Sequence, residues 1–433
     1  MIYRNAVKYL QNAPDTSVIQ PNAQRIQLIC KYLGNPQKSL KYIRLAGSNG
    51  KTVCSQLLIS VLKEAKIKAG CLTMPISEDL KQNIIIDGKA LTMEEAALYA
   101  TKVSDAVQEI NADIRKKYED QENVGASEVE DFIPTGSEIL LAMALLAFKE
   151  NKCTLCIIES DHNKPDPTKF LPPPFSAVIC GTIPSGDKKQ VLRIRSYICR
   201  GIQEIVSAPQ NQEAFRVISD TCASANCRLT LPSKSQISIA RLSLRGTDFL
   251  YKDLPYSIRL CGRFEVSNAV VALETFDMLT RRGYKISYDH IKAGLSKVAV
   301  PSKFEVLSAM PFIIADSTHD SIAIETVCDS MMDFKEITGT KVRLCLPNGK
   351  IIQRYISALE KRGYEIESIV TQNPAETQEN FSSDRINVKY AGGFKPIAKE
   401  VLKELPNDTM LLISGPNAFT SEVRYQVLAI MDF

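Results

Sequence analysis

A chain of 433 residues is too long for one ordinary core and calls for two to three domains. Apolar residues make up 45% and charged residues 24%, the balance of a soluble globular enzyme. The 53 basic and 49 acidic side chains leave a formal net charge of only +4, which argues against nucleic-acid or membrane-surface binding, and no apolar run is long enough to span a bilayer.

Residues 1–10 read as an amphipathic helix and not as a signal peptide. Residues 1–40 are expected to be helical, with a turn at Asn12-Ala13-Pro14. The stretch that follows is the most informative in the chain. An apolar run, Ile43-Arg44-Leu45-Ala46, ends in Gly47-Ser48-Asn49-Gly50-Lys51-Thr52 and continues as an amphipathic run over 53–66. That is strand, phosphate loop, helix. Backbone N–H groups from Gly47 to Thr52, with a helix N-terminus behind them, make a cradle for phosphate oxygens. Lys51 would reach the β- and γ-phosphates of ATP, and the Thr52 hydroxyl would sit on Mg²⁺. The longer G-x-x-x-x-G-K-[ST] pattern is not met, because Leu45 stands where its first glycine should be.

Residues 69–75 predict the next strand and its C-terminal loop, 93–117 a long amphipathic helix, and 121–134 a polar, acidic loop. A strongly apolar helix over 137–149 precedes an apolar strand over 153–159 that ends in Glu159. A proline-rich loop over 165–174, a strand over 176–181 and a short strand at Ile205-Val206 follow. This alternation implies α/β architecture, with a mostly parallel sheet covered on both faces. Ligands of such sheets bind at the carboxyl ends of the strands, where Thr52, Thr73 and Glu159 all fall. Over 230–260 the texture changes to apolar/polar alternation, a small β region, and a helix follows over about 266–281. A boundary near Val300-Pro301-Ser302 divides a P-loop ATP-binding domain, 1–299, from a smaller Rossmann-like α/β domain, 300–433. The second domain is expected to run through 312–316, 321–332, 342–346, 351–362, 366–370, 395–402 and 409–414.

Twelve cysteines lie scattered, several inside apolar runs, as the buried thiols of a cytoplasmic protein would. Cys153 and Cys156 have redox or zinc spacing but fall in an expected buried strand, and no second pair follows at zinc spacing.

Several separated motifs point the same way. The short loop form G-[ST]-x-G-K-[ST] is typical of the Mur ligase superfamily. Residues 3–10 and Leu33-Gly34-Asn35-Pro36-Gln37 extend the likeness upstream. Gly262-Arg263-Phe264-Glu265-Val266-Ser267-Asn268-Ala269 is similar to G-x-H-Q-x-x-N-A, and Pro301-Ser302-Lys303-Phe304-Glu305 to P-G-R-x-E. Asp316-Ser317-Thr318-His319-Asp320 looks like D-G-A-H-N, and 411–424 like a last strand and helix. In this order and spacing the chain resembles folylpolyglutamate synthase, including the bifunctional dihydrofolate synthase form, over nearly its whole length.

The resemblance implies a ligase that uses ATP and Mg²⁺ to join glutamate to a folate-type acid through an acyl phosphate. It implies small-molecule substrates, a place in folate and one-carbon metabolism, and a monomer. Lys51, Glu159 and His319 would be catalytic. Asn268 would contact the adenine side of ATP, Lys303 would replace an ATP-contacting arginine, and Asp316 would hold the ribose or help dock the small domain. Lysine keeps the charge but loses the planar fork. Thr52, Glu159 and Asp187 would hold the magnesium.

The chain departs from the family at the metal loops. A family serine is lost in Thr73-Met74-Pro75-Ile76, and a glycine-rich segment after Glu159 is replaced by Asp161-His162-Asn163-Lys164-Pro165, although Asp166-Pro167-Thr168 keeps its end. Where the family has a lysine, often carbamylated, this chain has Cys199 or Arg200. Two alternatives therefore stand beside the ligase: a relative acting on another acid, and a nucleotide-binding protein without ligase chemistry.

Overall fold

A computed structural model describes residues 1–431 apart from 15–20, 48, 78, 120–129, 161–165, 184, 199–200, 319 and 374–385, and the backbone alone at 118–119. These residues fall into two compact units, Met1–Pro232 with Val270–Gly294, and Ser233–Ala269 with Leu295–Phe433.

In chain order the first unit contains helices α1 (Tyr3–Asn12) and α2 (Ala23–Tyr32), strand β1 (Tyr42–Ala46), α3 (Lys51–Glu64), β2 (Ala69–Leu72), β3 (Ile84–Ile86) and β4 (Lys89–Ala90). It continues with α4 (Met93–Glu119), α5 (Gly136–Glu150), β5 (Leu155–Glu159), β6 (Ser176–Ile179), α6 (Lys188–Tyr197), β7 (Glu204–Ser207), α7 (Gln212–Ala225) and β8 (Arg228–Thr230). These strands form one sheet in the order β4-β3-β2-β5-β1-β6-β7-β8. All pairings are parallel except the β2-β3-β4 edge, which is antiparallel. β1 is wholly buried and lies between β5 and β6, as expected for an uninterrupted apolar run. Helix α5 is apolar nearly all round and is therefore buried on almost every side. A capping box starts it: Glu138 N–H donates to Thr135 Oγ1 at 3.3 Å, and Thr135 N–H to Glu138 Oε2 at 2.9 Å. The same buried carboxylate pairs with Arg25 at 3.1 Å, which ties the start of α2 to the start of α5.

The second unit contains β9 (Ile237–Ser243), β10 (Gly246–Tyr251) and β11 (Leu254–Ile258), an antiparallel three-stranded sheet. Helix α8 (Arg263–Arg281) starts in this unit and α9 (Tyr288–Leu295) follows it in the chain. Then come β12 (Glu305–Ala309), β13 (Phe312–Asp316), α10 (Ser321–Met332), α11 (Lys335–Thr338), β14 (Lys341–Leu346), α12 (Gly349–Glu360), β15 (Glu365–Thr371), β16 (Asn387–Tyr390), α13 (Phe394–Leu402), β17 (Thr409–Ser414) and α14 (Asn417–Met431). Six strands make a second sheet, β12-β13-β17-β14-β15-β16, parallel except for the β12-β13 hairpin. Its two faces carry separate cores, one under α10 and α12, the other under α13 and α14. The α/β architecture read from the sequence is present in both units. The β3-β4 hairpin, β8 and β16 go beyond that reading, because strands of two to four residues hold too little alternation to register. Among the described residues no helix is long and apolar enough to cross a membrane.

Candidate functional site

The phosphate loop leaves the carboxyl end of β1, the strand flanked by β5 and β6. Gly47 has φ +124°, and a Cβ there would lie 2.0 Å from the Cys180 carbonyl oxygen, so only glycine fits. Cys180 N–H donates to the Ala46 carbonyl at 2.7 Å, which holds the loop against the end of β6. Gly50, at φ +81°, turns the chain into α3. Lys51 follows at the first position of the helix and is nearly buried, its Nζ donating to the Gly47 carbonyl at 2.6 Å. The ammonium group thus lies folded back across the loop whose N–H groups it is expected to assist. Thr52 is half-buried beside it.

Glu159 ends β5 and pairs in register with Leu45, two residues before Gly47. Its side chain is fully buried, and Oε1 accepts a hydrogen bond from Ser55 Oγ, one turn into α3, at 2.5 Å. A buried carboxylate and a hydroxyl are hard oxygen donors, the chemistry that Mg²⁺ prefers. Asp187 is half-buried and caps α6, its Oδ1 accepting from Gln190 N–H at 3.0 Å. Among the described residues no group of three or more His, Cys, Asp or Glu side chains could hold a metal. That includes the neighbourhood of Cys153 and Cys156, whose thiols burial pushes upward, to about 11 at Cys153.

The loop that lacks the family serine has its own internal support. Met74 packs into the core of the first unit, and buried Asn83 holds the turn, donating to the Thr73 and Pro75 carbonyls at 2.9 and 2.8 Å. The retained Asp166-Pro167-Thr168 anchors a buried polar knot. Asp166 accepts from Tyr197 Oη at 2.5 Å and from Thr168 N–H at 2.9 Å. The guanidinium of Arg44 donates to the Thr168 carbonyl and stands 5.2 Å from the Tyr197 ring centre. Burial raises the Asp166 carboxyl, opposed by these hydrogen bonds.

The second unit gathers Asn268, Lys303 and Asp316. Asp316 ends β13, buried, and its Oδ2 accepts from Phe304 N–H at 2.7 Å. Asn268 Nδ2 donates to Glu265 Oε2 at 2.9 Å, one turn back on α8. Lys303 acts electrostatically on both carboxylates. Burial raises Asp316, and burial raises Glu265 to about 7. Glu305 receives Arg424 in a two-pronged ion pair at 2.5 and 2.6 Å and also accepts from Ser302 N–H at 2.8 Å. Ser302 has φ +56°, which explains why the motif it occupies normally carries glycine there.

The phosphate-loop group (Gly47, Asn49, Gly50, Lys51, Thr52) and Glu159 are thus neighbours in one unit, and Asn268, Lys303 and Asp316 in the other. Ser48, His319, His162, Cys199 and Arg200 lie outside the described residues. Sequence reasoning missed Ser55 and Glu265. Ser55 could have been found from its place one helical turn after Lys51, on the face toward β5. Glu265 stands inside its motif, but its burial depends on the fold and leaves no local signal in the sequence.

No family model matches the chain. It is 24% identical over 332 residues to a probable bifunctional folylpolyglutamate synthase/dihydropteroate synthase of Halobacterium salinarum, a match covering 73% of this chain but only 38% of that protein's length. It is 22% identical over 431 residues to the dihydrofolate synthase/folylpolyglutamate synthase of Bacillus subtilis, covering 94% of this chain and 95% of that one. The fold superposes on a folylpolyglutamate synthase of Mycobacterium tuberculosis, solved with ADP and AMPPCP, with a TM-score of 0.78 at 19% identity, covering 98% of this chain and 99% of that one.

Proposed function

We propose that this chain, which belongs to the folylpolyglutamate synthase and dihydrofolate synthase family, is an ATP-dependent ligase that joins the amine of glutamate to a folate-type carboxylate. The observation that carries the proposal is the phosphate loop at the end of β1, with Lys51 folded over it and Glu159 buried at the neighbouring strand end. The acid's carboxylate attacks the γ-phosphorus of ATP, and the bond to ADP breaks, giving an acyl phosphate. The amine of glutamate then attacks the acyl carbon, loses a proton and expels phosphate. A carboxylate approaching a triphosphate meets strong repulsion, so cationic groups aimed at the developing charge do most of the work.

Lys51 supplies that charge from inside the loop, and the loop N–H groups with the start of α3 cradle the phosphates. Thr52 and Glu159 would hold magnesium, with Asp187 as a third oxygen once its cap on α6 is shared. Bound there, magnesium neutralises phosphate charge. Ser55 fixes the Glu159 carboxylate before any ion arrives. Ser48 and His319, outside the described residues, would serve at the phosphates and near the amino-acid site. Asn268, Lys303 and Asp316 take the adenine, the phosphates and the ribose. The functional domain division at 299/300, a monomeric state and a cytoplasmic location belong to the same proposal.

The rebuilt Thr73–Ser77 turn favours a second reading, a ligase whose acid differs from folate, because Met74 occupies the position of the family serine. Mass spectrometry of products decides between them. Purified protein is incubated with Mg-ATP, glutamate, dihydropteroate and tetrahydrofolate. A product heavier by one glutamate residue, absent with Lys51→Ala, is expected. ADP release only with some other acid supports the second reading. ATP binding without any turnover counts against both.

A further inference from the structure

Among the described residues, several buried polar atoms around Glu265 lack a hydrogen-bond partner. Glu265 Oε1, Asp316 Oδ1, Ser302 Oγ and Ser317 Oγ are buried atoms without a hydrogen-bond partner. Four such atoms on neighbouring segments of one unit are costly unless something completes them, since each orphan forfeits its hydration. Lys303 acts electrostatically on Glu265 and Asp316, and Phe264 and Phe304, on the same segments, are in ring contact, as are Phe304 and Phe334.

Glu265 is the odd member. Its side chain is about 1% exposed. Oε2 is fixed as an acceptor, because the Asn268 amide donates to it at 2.9 Å. The ionisable groups acting on the carboxyl are Asp316 from the end of β13 and Lys303 from the turn before β12. Cys261, just before α8, is itself pushed up to about 11 by burial and by Glu265, so it stays a neutral thiol. Burial, reinforced by Asp316, outweighs the Asn268 hydrogen bond and Lys303, and Glu265 holds its proton up to about pH 7. With Oε2 committed as acceptor, that proton belongs on Oε1. The orphan is then a hydrogen-bond donor with nothing to donate to.

We propose that Glu265 is a specificity-determining residue that reads the nucleobase, its Oε1 hydroxyl donating to a ring nitrogen of a purine. This rests on the reading of Asn268, Lys303 and Asp316 as the nucleotide cradle. It adds to that reading a protonated carboxyl that acts as a neutral donor. A ring nitrogen with a lone pair satisfies the hydroxyl, whereas a ring N–H does not. Ionisation would remove the donor and place a second negative charge beside Asp316, so ligand binding and the Oε1 proton are linked.

Calorimetric titration of Mg-ATP into the full chain between about pH 6 and about pH 9 tests this, using wild type, Glu265→Gln and Glu265→Ala. Glutamine keeps a donor in the same place and cannot ionise. Wild-type affinity is expected to fall about tenfold for each pH unit above about 7. Glu265→Gln should bind with affinity nearly independent of pH, after any trend of the nucleotide itself common to all three proteins. Glu265→Ala should bind weakly throughout. ATP analogues with one ring nitrogen replaced by C–H sharpen the test: one of them should bind wild type as weakly as ATP binds Glu265→Ala, with no further loss in that variant. Parallel pH profiles for wild type and Glu265→Gln overturn the inference and leave the ligase reading intact. Absence of Mg-ATP binding in every protein at every pH overturns both.

Discussion

The phosphate loop and the Glu265 cradle are both polar and buried, yet they are built on opposite terms. Around the loop the charged groups have partners within the fold: Lys51 bonds the Gly47 carbonyl, Ser55 bonds Glu159, and Asp187 caps a helix. In the second unit, Glu265 Oε1, Asp316 Oδ1, Ser302 Oγ and Ser317 Oγ have none, although Asn268 and Phe304 N–H meet the other carboxylate oxygens. The first arrangement is set before a ligand arrives, as catalysis by fixed charge requires. The second carries an unmet demand that a ligand would relieve, so ligand and stability should be coupled there.

The sharpest way to break the first half of that contrast is Glu159→Ala. It removes the carboxylate proposed to hold magnesium and takes away a hydrogen-bond partner of Ser55. Activity is expected to drop by about a thousandfold, with ATP-dependent Mg²⁺ binding lost. Unchanged Mg²⁺ titrations would remove Glu159 from the site. Next comes Gly47→Ala. Its Cβ would have to displace the Cys180 carbonyl, now 2.0 Å away, at a φ of +124°. A loss of about 3 kcal/mol in chemical denaturation is expected, and a loss below about 0.5 kcal/mol would mean the loop is not rigid.

The second half predicts a pH effect on stability without ligand. Glu265 is raised from 4.5 to about 7 on folding, so the native chain keeps a proton that the unfolded chain has released. Its contribution is therefore most favourable below about pH 4.5 and is lost as pH rises to about 7. Between those limits wild type should lose on the order of 1–3 kcal/mol relative to Glu265→Gln. Denaturant midpoints measured side by side across that window check it, and identical slopes would contradict it. Smallest is Ser302→Gly. Relief of the positive φ, partly offset by unfolded-chain entropy, should add about 0.5 kcal/mol. A melting curve shifted downward would show that the Ser302 hydroxyl contributes more than its backbone costs.

The same contrast decides what was legible in the sequence. The phosphate loop could be read because its chemistry is local: a strand, a glycine turn and Lys-Thr lie within ten residues, and Gly47 is there for a steric reason. Glu159 was readable because a strand end points to the ligand edge of a parallel sheet. Asn268, Lys303 and Asp316 were found only as positions in ordered motifs, and the fold brings them within electrostatic reach of one another. The satisfied Ser55–Glu159 bond and the Arg44–Asp166–Tyr197 knot were not legible, because each joins side chains far apart in the chain. Nor was the state of Glu265. Its protonation depends on burial and on Asp316, which only the folded unit supplies.

The most direct test of the ligase reading follows one oxygen atom. The acid substrate is prepared with heavy oxygen in the carboxylate to be joined, then turned over with Mg-ATP and glutamate. Attack of that carboxylate on the γ-phosphorus, followed by amine attack on carbon, must leave one labelled oxygen on the released phosphate. Mass analysis of the phosphate is expected to find that label in step with amide product. Amide product with unlabelled phosphate would contradict the acyl-phosphate route, and with it the role given to Lys51 and Glu159.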